Sequence, residues 1–137
     1  MRKPLGADAP PPVDAARAAC VFCRIVDGAE LADVVFRGTR AIAFVPHGPH
    51  APGHLLVVPK VHVDDATTDP KVTADTMWYA STIADQLSPG AANILTSIGK
   101  PATQSVKHLH IHVIPRGPDD GLPSRWPWLP TPEGGPS

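Results

Sequence analysis

Three histidines alternate with apolar residues in Val106-Lys-His-Leu-His-Ile-His-Val-Ile114. A β-strand sends successive side chains to opposite faces. His108, His110 and His112 then share one face, and Leu109, Ile111 and Val113 the other. The apolar face anchors the strand in a core, and the imidazole face becomes a rigid row with neighbours about 7 Å apart. Burying three histidines for packing alone requires three sets of partners. A solvated face does not explain histidine at all three positions, and the interleaving and internal position exclude an affinity tag. Imidazole is a nucleophile, a proton donor or a metal ligand near neutral pH. Two readings follow. A His-x-His pair ligates a metal, with a third ligand elsewhere; or the central histidine attacks an electrophile while its neighbours bind anionic oxygens and the leaving group. Gln104 and Ser105 add amide and hydroxyl donors just upstream. The cluster has no nearby carboxylate, which favours an anionic substrate over a metal-hydrolytic centre.

Cys20 and Cys23 are the only cysteines in the chain of 137 residues. Two cysteines at this spacing make a poor disulfide framework and a better metal or redox pair. All seven histidines fall between positions 47 and 112. Lys plus Arg is 12 and Asp plus Glu is 13, a net charge of -1. That balance argues against holding nucleic acid by bulk charge. No apolar run approaches the roughly 18 residues of a membrane span, and Met1–Pro12 has no apolar h-region. The expectation is a cytoplasmic protein with no membrane partner.

The length fits one domain. Eighteen prolines exclude a helical bundle for much of the chain. Four lie in residues 1–12 and seven from Pro115 onward. Residues 1–14 therefore read as an extended or disordered segment, 15–116 as the globular body, and 117–137 as a tail containing proline and tryptophan. Trp126 and Trp128 in that tail suggest docking onto the body or a partner chain. Within the body, strands are expected at Val34–Arg37, Ala41–Val45, Leu55–Pro59, Ala92–Ser97 and Ser105–Pro115. Arg37-Gly38-Thr39-Arg40 reads as a hairpin turn, and Ala15–Val26 as a short helix carrying the cysteines. One long helix starts near Pro70, capped by Asp69 or Thr68, and stops at Ser88-Pro89-Gly90. Ala74, Met77, Ala80, Ala84 and Leu87 give it an apolar face. The fold class is α+β, with a mostly antiparallel sheet of about five strands.

Gln104-Ser-Val-Lys-His-Leu-His-Ile-His-Val-Ile-Pro-Arg116 closely resembles the motif of the histidine triad (HIT) family. Cys20-Val-Phe-Cys-Arg-Ile-Val-Asp-Gly28 resembles the N-terminal segment of bacterial members, and Pro52-Gly-His-Leu-Leu-Val-Val-Pro-Lys-Val-His62 the family's Gly-His-x-Leu-Val-x-Pro-Lys segment. The match covers residues 18 to 116 in order. The resemblance implies a HIT-like fold and a homodimer. It also implies attack by His110 on the α-phosphorus of a nucleotide, a nucleotidyl-histidine intermediate, and release of a nucleoside monophosphate by water. His112 and His54 would complete the catalytic set, and Asn93, Ser97, Gln104, Ser105 and His112 would contact substrate. Cys20, Cys23, His62 and His108 would form a closed, structural zinc site. The implied substrate is a nucleoside phosphoramidate or related conjugate, with a purine nucleotide expected. Dinucleoside polyphosphate hydrolysis, and a nucleotide-binding module with little turnover, are the alternatives.

The sequence departs from the pattern at three places. Many relatives have Asp eight residues before the His54 position, where it binds the ribose hydroxyls; here it is Pro46, which offers no acceptor. His47 and His50 either substitute for it or are loop histidines in solvent. Ser97 stands where Asn or Gln is frequent, and Gly99-Lys-Pro-Ala-Thr103 lacks the family's glycine pair before Gln104.

Overall fold

A computed structural model of the chain describes residues 13–87 and 90–122. The expectations for Trp126, Trp128, Ser88, Pro89 and residues 1–12 fall outside them. Two short helices, α1 (Val13–Ala18) and α2 (Val21–Val26), precede the hairpin β1 (Asp33–Arg37) and β2 (Ala41–Val45). Strand β3 (Leu55–Pro59), helix α3 (Pro70–Leu87), strand β4 (Ala92–Leu95), a 3-10 turn at Lys100–Ala102 and strand β5 (Ile111–Pro115) follow. The strands form one antiparallel sheet in the order β1-β2-β3-β5-β4.

Ala41-Ile-Ala-Phe and Leu55-Leu-Val-Val are buried at every position, because the central strands are covered on both faces. Ala41, Ala43, Leu55, Val57, Leu109, Ile111 and Val113 pack with Ala80 and Ile83 of α3. Ile42, Phe44, Leu56 and Val58 turn to the other face and meet Phe22 and Ile25 of α2. The small side chains Ala41, Ala43 and Ala80, all fully buried, let α3 lie close on the sheet. The β1–β2 turn also docks on α3. A Cβ at Gly38 would stand 2.6 Å from the Tyr79 ring, so glycine is needed there.

Three sequence expectations need correction. The single helix over Ala15–Val26 is two helices, broken where Cys20 takes an extended conformation and its sulfur accepts the Cys23 N–H at 3.4 Å. The buried face of α3 runs through Thr76, Ala80 and Ile83, flanked by Val72, Tyr79 and Ala84. Ala74, Met77 and Leu87 are exposed. Thr76 escaped an apolar pattern because its hydroxyl donates to the Val72 carbonyl at 2.8 Å and leaves only its methyl to pack. The α3 start agrees with expectation: Asp69 Oδ1 accepts the Lys71 N–H at 3.1 Å.

The third correction bears on the site. The last strand begins at Ile111, not Ser105, and β4 ends at Leu95, not Ser97. Here side chains and neighbouring loops supply the bonds a longer ladder would have supplied. The Leu109 N–H bonds the Val63 carbonyl at 2.8 Å, and the Thr96 hydroxyl donates to the His110 carbonyl at 2.7 Å. Leu109, Ile111 and Val113 nonetheless all reach the core against α3.

Candidate active site

A cavity of about 480 Å³ opens on the α2 side of the sheet, within the range of small-molecule sites. Its lining brings the apolar side chains of Phe22, Ile25, Leu31, Phe44 and Val106 together with His54, His110, His112 and Ser105. His54 comes from the turn into β3, His110 from the approach to β5, and His112 from β5 opposite Leu56.

Hydrogen bonds determine where each imidazole keeps its proton. His110 Nδ1 lies 2.8 Å from the His108 carbonyl, which can only accept, so Nδ1 carries the proton and Nε2 keeps its lone pair. The backbone N–H of His50 donates to His54 Nδ1 at 3.0 Å. His54 therefore holds its proton on Nε2 and donates it to His112 Nδ1 at 3.0 Å. His112 in turn carries its proton on Nε2. Burial keeps these rings neutral. It lowers the pKa of His54 to about 4, helped by the His50 charge, and that of His112 to about 3, helped by His110, His54 and His50. His110 is also lowered by burial, its bond to the His108 carbonyl opposing the shift. The result is an unprotonated nucleophile beside an N–H donor. Phe22 packs edge-on against His110, ring centroids 5.1 Å apart, and closes off its flank.

A second cluster lies behind the first. The donor atoms of Cys20, Cys23, His62 and His108 all lie within 4.8 Å of one another. Cys20 Sγ is 3.4 Å and Cys23 Sγ 3.5 Å from His108 Nδ1; His62 Nδ1 is 3.3 Å from Cys23 Sγ and 3.1 Å from His108 Nδ1. These spacings approach the edges of a tetrahedron with metal–ligand bonds of about 2.0–2.3 Å. The tautomers fit as well. His108 Nε2 donates to the Pro59 carbonyl at 2.9 Å, and His62 Nε2 to Asp64 Oδ1 at 3.1 Å. Both Nδ1 lone pairs then face each other without a proton between them, an arrangement a cation relieves. Burial, with Cys20 beside it, pushes the Cys23 thiol up to about 11, a shift that a bound cation reverses. By geometry and donor chemistry the cluster could hold a metal ion.

Residues 28–119, which contain the His54, His110 and His112 cluster, match the HIT domain model. The chain belongs to the HIT domain family. The HIT protein is 34% identical over 109 residues to an uncharacterized HIT-like protein of Saccharolobus solfataricus, covering 74% of this chain and 76% of that one. It is 34% identical over 112 residues to the adenosine 5'-monophosphoramidase of Saccharomyces cerevisiae, covering 80% of this chain and 71% of the relative. Among solved structures it is similar to a Zn-bound histidine triad family protein of Mycobacterium smegmatis, with a TM-score of 0.71 and 35% identity, covering 80% and 83% of the two chains.

Not every residue expected at the substrate faces the HIT cavity. Ser105 lines it. The buried Gln104 amide is taken up by backbone: Oε1 accepts the Gly99 N–H at 2.9 Å, and Nε2 donates to the Asp64 and Val106 carbonyls at 2.7 and 3.0 Å. It braces the loop ahead of the triad. Asn93 Oδ1 accepts from Arg116 Nη1 at 2.7 Å, and neither Asn93 nor Ser97 lines the cavity. His47, Pro46 and His50 do line it, and His50 stacks on His54 at 5.2 Å. Sequence reasoning did not single out Thr96, Asp64 or Phe22. Asp64, two residues beyond His62, carried the one readable signal, since metal-bound imidazoles commonly donate to a carboxylate.

Proposed function

We propose that this HIT protein hydrolyses a nucleoside phosphoramidate at its α-phosphorus through a nucleotidyl-His110 intermediate. The observation that carries this reading is the His110 Nδ1–H bond to the His108 carbonyl, which leaves Nε2 unprotonated in a ring that lines the cavity. The apolar lining suits a base, and the imidazoles suit a phosphate. With the substrate protonated on its bridging nitrogen, the His110 Nε2 lone pair forms the new N–P bond. The old P–N bond breaks, its electron pair stays on the leaving nitrogen, and a neutral amine departs. The Nε2–H of His112 donates to the lone pair emerging there, and the His108 carbonyl supports the charge gained by His110. Water then forms an O–P bond. Its displaced proton goes to the amine, and the N–P electron pair returns to His110. The name of the yeast relative supports the reaction class.

The metal cluster would hold zinc, with Cys20, Cys23, His62 and His108 as ligands and no open position. Bound there, the ion would supply structure rather than chemistry. It would clip the α1–α2 segment to the sheet and hold His108, whose carbonyl sets the His110 tautomer.

Incubation with adenosine 5'-phosphoramidate tests the reading. AMP release by the wild-type chain, a covalent AMP adduct seen by mass spectrometry after quenching, and loss of both in His110→Ala are expected. AMP binding without turnover would instead establish a binding module.

A further inference from the structure

Ser105 stands on the rim between two concavities. It lines the imidazole cavity, and it also lines a neighbouring depression of about 590 Å³ formed by Gly99, Lys100, Thr103, Gln104 and Lys107. Among the described residues, no acidic side chain lines that depression. Lys100 and Lys107 are both exposed, and neither has an ion-pair partner among the described residues. The remaining polar side chains there are already engaged. The Gln104 amide bonds three backbone groups, and the Thr103 hydroxyl donates to the Ala102 carbonyl. What the depression offers a ligand is therefore two ammonium groups and the Ser105 hydroxyl.

Its position gives that charge a use. A conjugate with its base on the apolar lining and its α-phosphorus among the histidines must send its leaving group away from the base. Ser105 borders both concavities, so one way out leads past it to the lysines. We propose that this depression is the leaving-group subsite and that it favours a leaving group carrying its own anion, a carboxylate or a phosphate. The proposal rests on the nucleotidyl-transfer reading, because that reading places the α-phosphorus. It adds a substrate class: nucleotides conjugated to an acidic amine rather than to ammonia or a basic amine. The interaction is solvent-exposed and therefore modest and screened by salt.

Equilibrium binding to the full chain carrying His110→Ala, which spares the ligand, provides the test. Three AMP phosphoramidates serve as probes, made with propylamine, 3-aminopropanoate and 2-aminoethyl phosphate. At low salt at least one anionic conjugate should bind roughly threefold to fivefold tighter than the neutral one. The ranking of the carboxylate and phosphate arms identifies the anion. Adding Lys100→Gln and Lys107→Gln should bring the ratio to about one without changing the Kd of the propylamine conjugate. Equal affinity for all three conjugates would overturn the subsite and leave the nucleotidyl reading standing. So would an equal loss of preference in a control carrying Arg37→Gln and Lys71→Gln, which makes the same change in charge elsewhere. Failure of every conjugate to bind would overturn both.

Discussion

His54 Nε2 lies 3.0 Å from His112 Nδ1, and the His50 N–H bond to His54 Nδ1 determines which of the two rings donates. One backbone amide thus sets two tautomers in series and presents the Nε2–H of His112 to whatever occupies the cavity. Removing His54 releases that constraint. His54→Ala should lower kcat for phosphoramidate hydrolysis by about 10-fold to 100-fold, below the range for loss of a direct proton-transfer group. His54→Gln, whose amide N–H can still donate to His112 Nδ1, should recover most of that loss. Equal defects in the two variants would show that the bond is not what matters.

Replacing His110 should have a much larger effect. Loss of a covalent nucleophile removes a pathway, and in well-studied hydrolases it costs on the order of 10⁶-fold in kcat. At least a 10⁴-fold loss is expected for His110→Ala, with AMP binding retained within a few-fold. Single-turnover measurements separate the two effects.

Neutral buried imidazoles make stability depend on pH. The pKa values of His54 and His112 are depressed to about 4 and about 3 in the folded chain, whereas unfolded histidine titrates near 6.5. Below pH 6.5 the unfolded chain binds protons that the folded chain refuses, so stability is full above that pH and falls as pH drops toward 4. Each histidine contributes a slope of at most about 1.4 kcal/mol per pH unit, less for the share of each ring that water still reaches. Urea midpoints from pH 7.5 to 4.5 should show the decline, and a variant carrying His54→Gln and His112→Gln should flatten it.

Protein purified without added metal should contain close to one zinc per chain. Cys23→Ser should hold less than about half an equivalent and unfold at a lower temperature, as loss of a ligand uncouples metal binding from folding. Asp64→Asn keeps all four donors and weakens only the acceptor for His62 Nε2. It should lower zinc affinity by about 10-fold to 100-fold. A competitive chelator titration reads both.

Thr103 adopts φ of 72°, a left-handed conformation that a β-branched residue seldom takes. The strain of about 1–2 kcal/mol exceeds the extra chain entropy that glycine loses on folding, about 0.5–1 kcal/mol. Thr103→Gly should therefore stabilise the fold by about 0.5–1 kcal/mol, raising the urea midpoint. Gln104, which braces the same loop, is left untouched by that change.

Much of this protein is legible along the chain because its patterns are local. The alternation from His108 to Val113 assigns Leu109, Ile111 and Val113 to a core whatever strand they join, and all three are buried against α3. Ala41–Val45 and Leu55–Pro59 both read as strands, and both are strands. Asp69-Pro70 announces a helix start. The buried face of α3 departs from the apolar pattern because a threonine can bury its methyl once its hydroxyl bonds the preceding turn, a compensation that no hydropathy pattern records.

The division of labour within the triad belongs to the tertiary structure. The sequence by itself determined that three imidazoles lie on one side and three aliphatic residues on the other. Alternation alone does not separate the three imidazoles: the family resemblance implied that His108 joins Cys20 and Cys23, and the folded chain turns His108 toward those sulfurs and His110 and His112 toward a cavity. That outcome depends on Pro59 O, Val63 O and Thr96, acceptors and a donor from segments distant in sequence. Nor could spacing reveal that the Gln104 amide would be taken up by Gly99, Asp64 and Val106 rather than left for a ligand. A ring's protonation site follows from the groups that face it, and those groups meet only once the chain has folded.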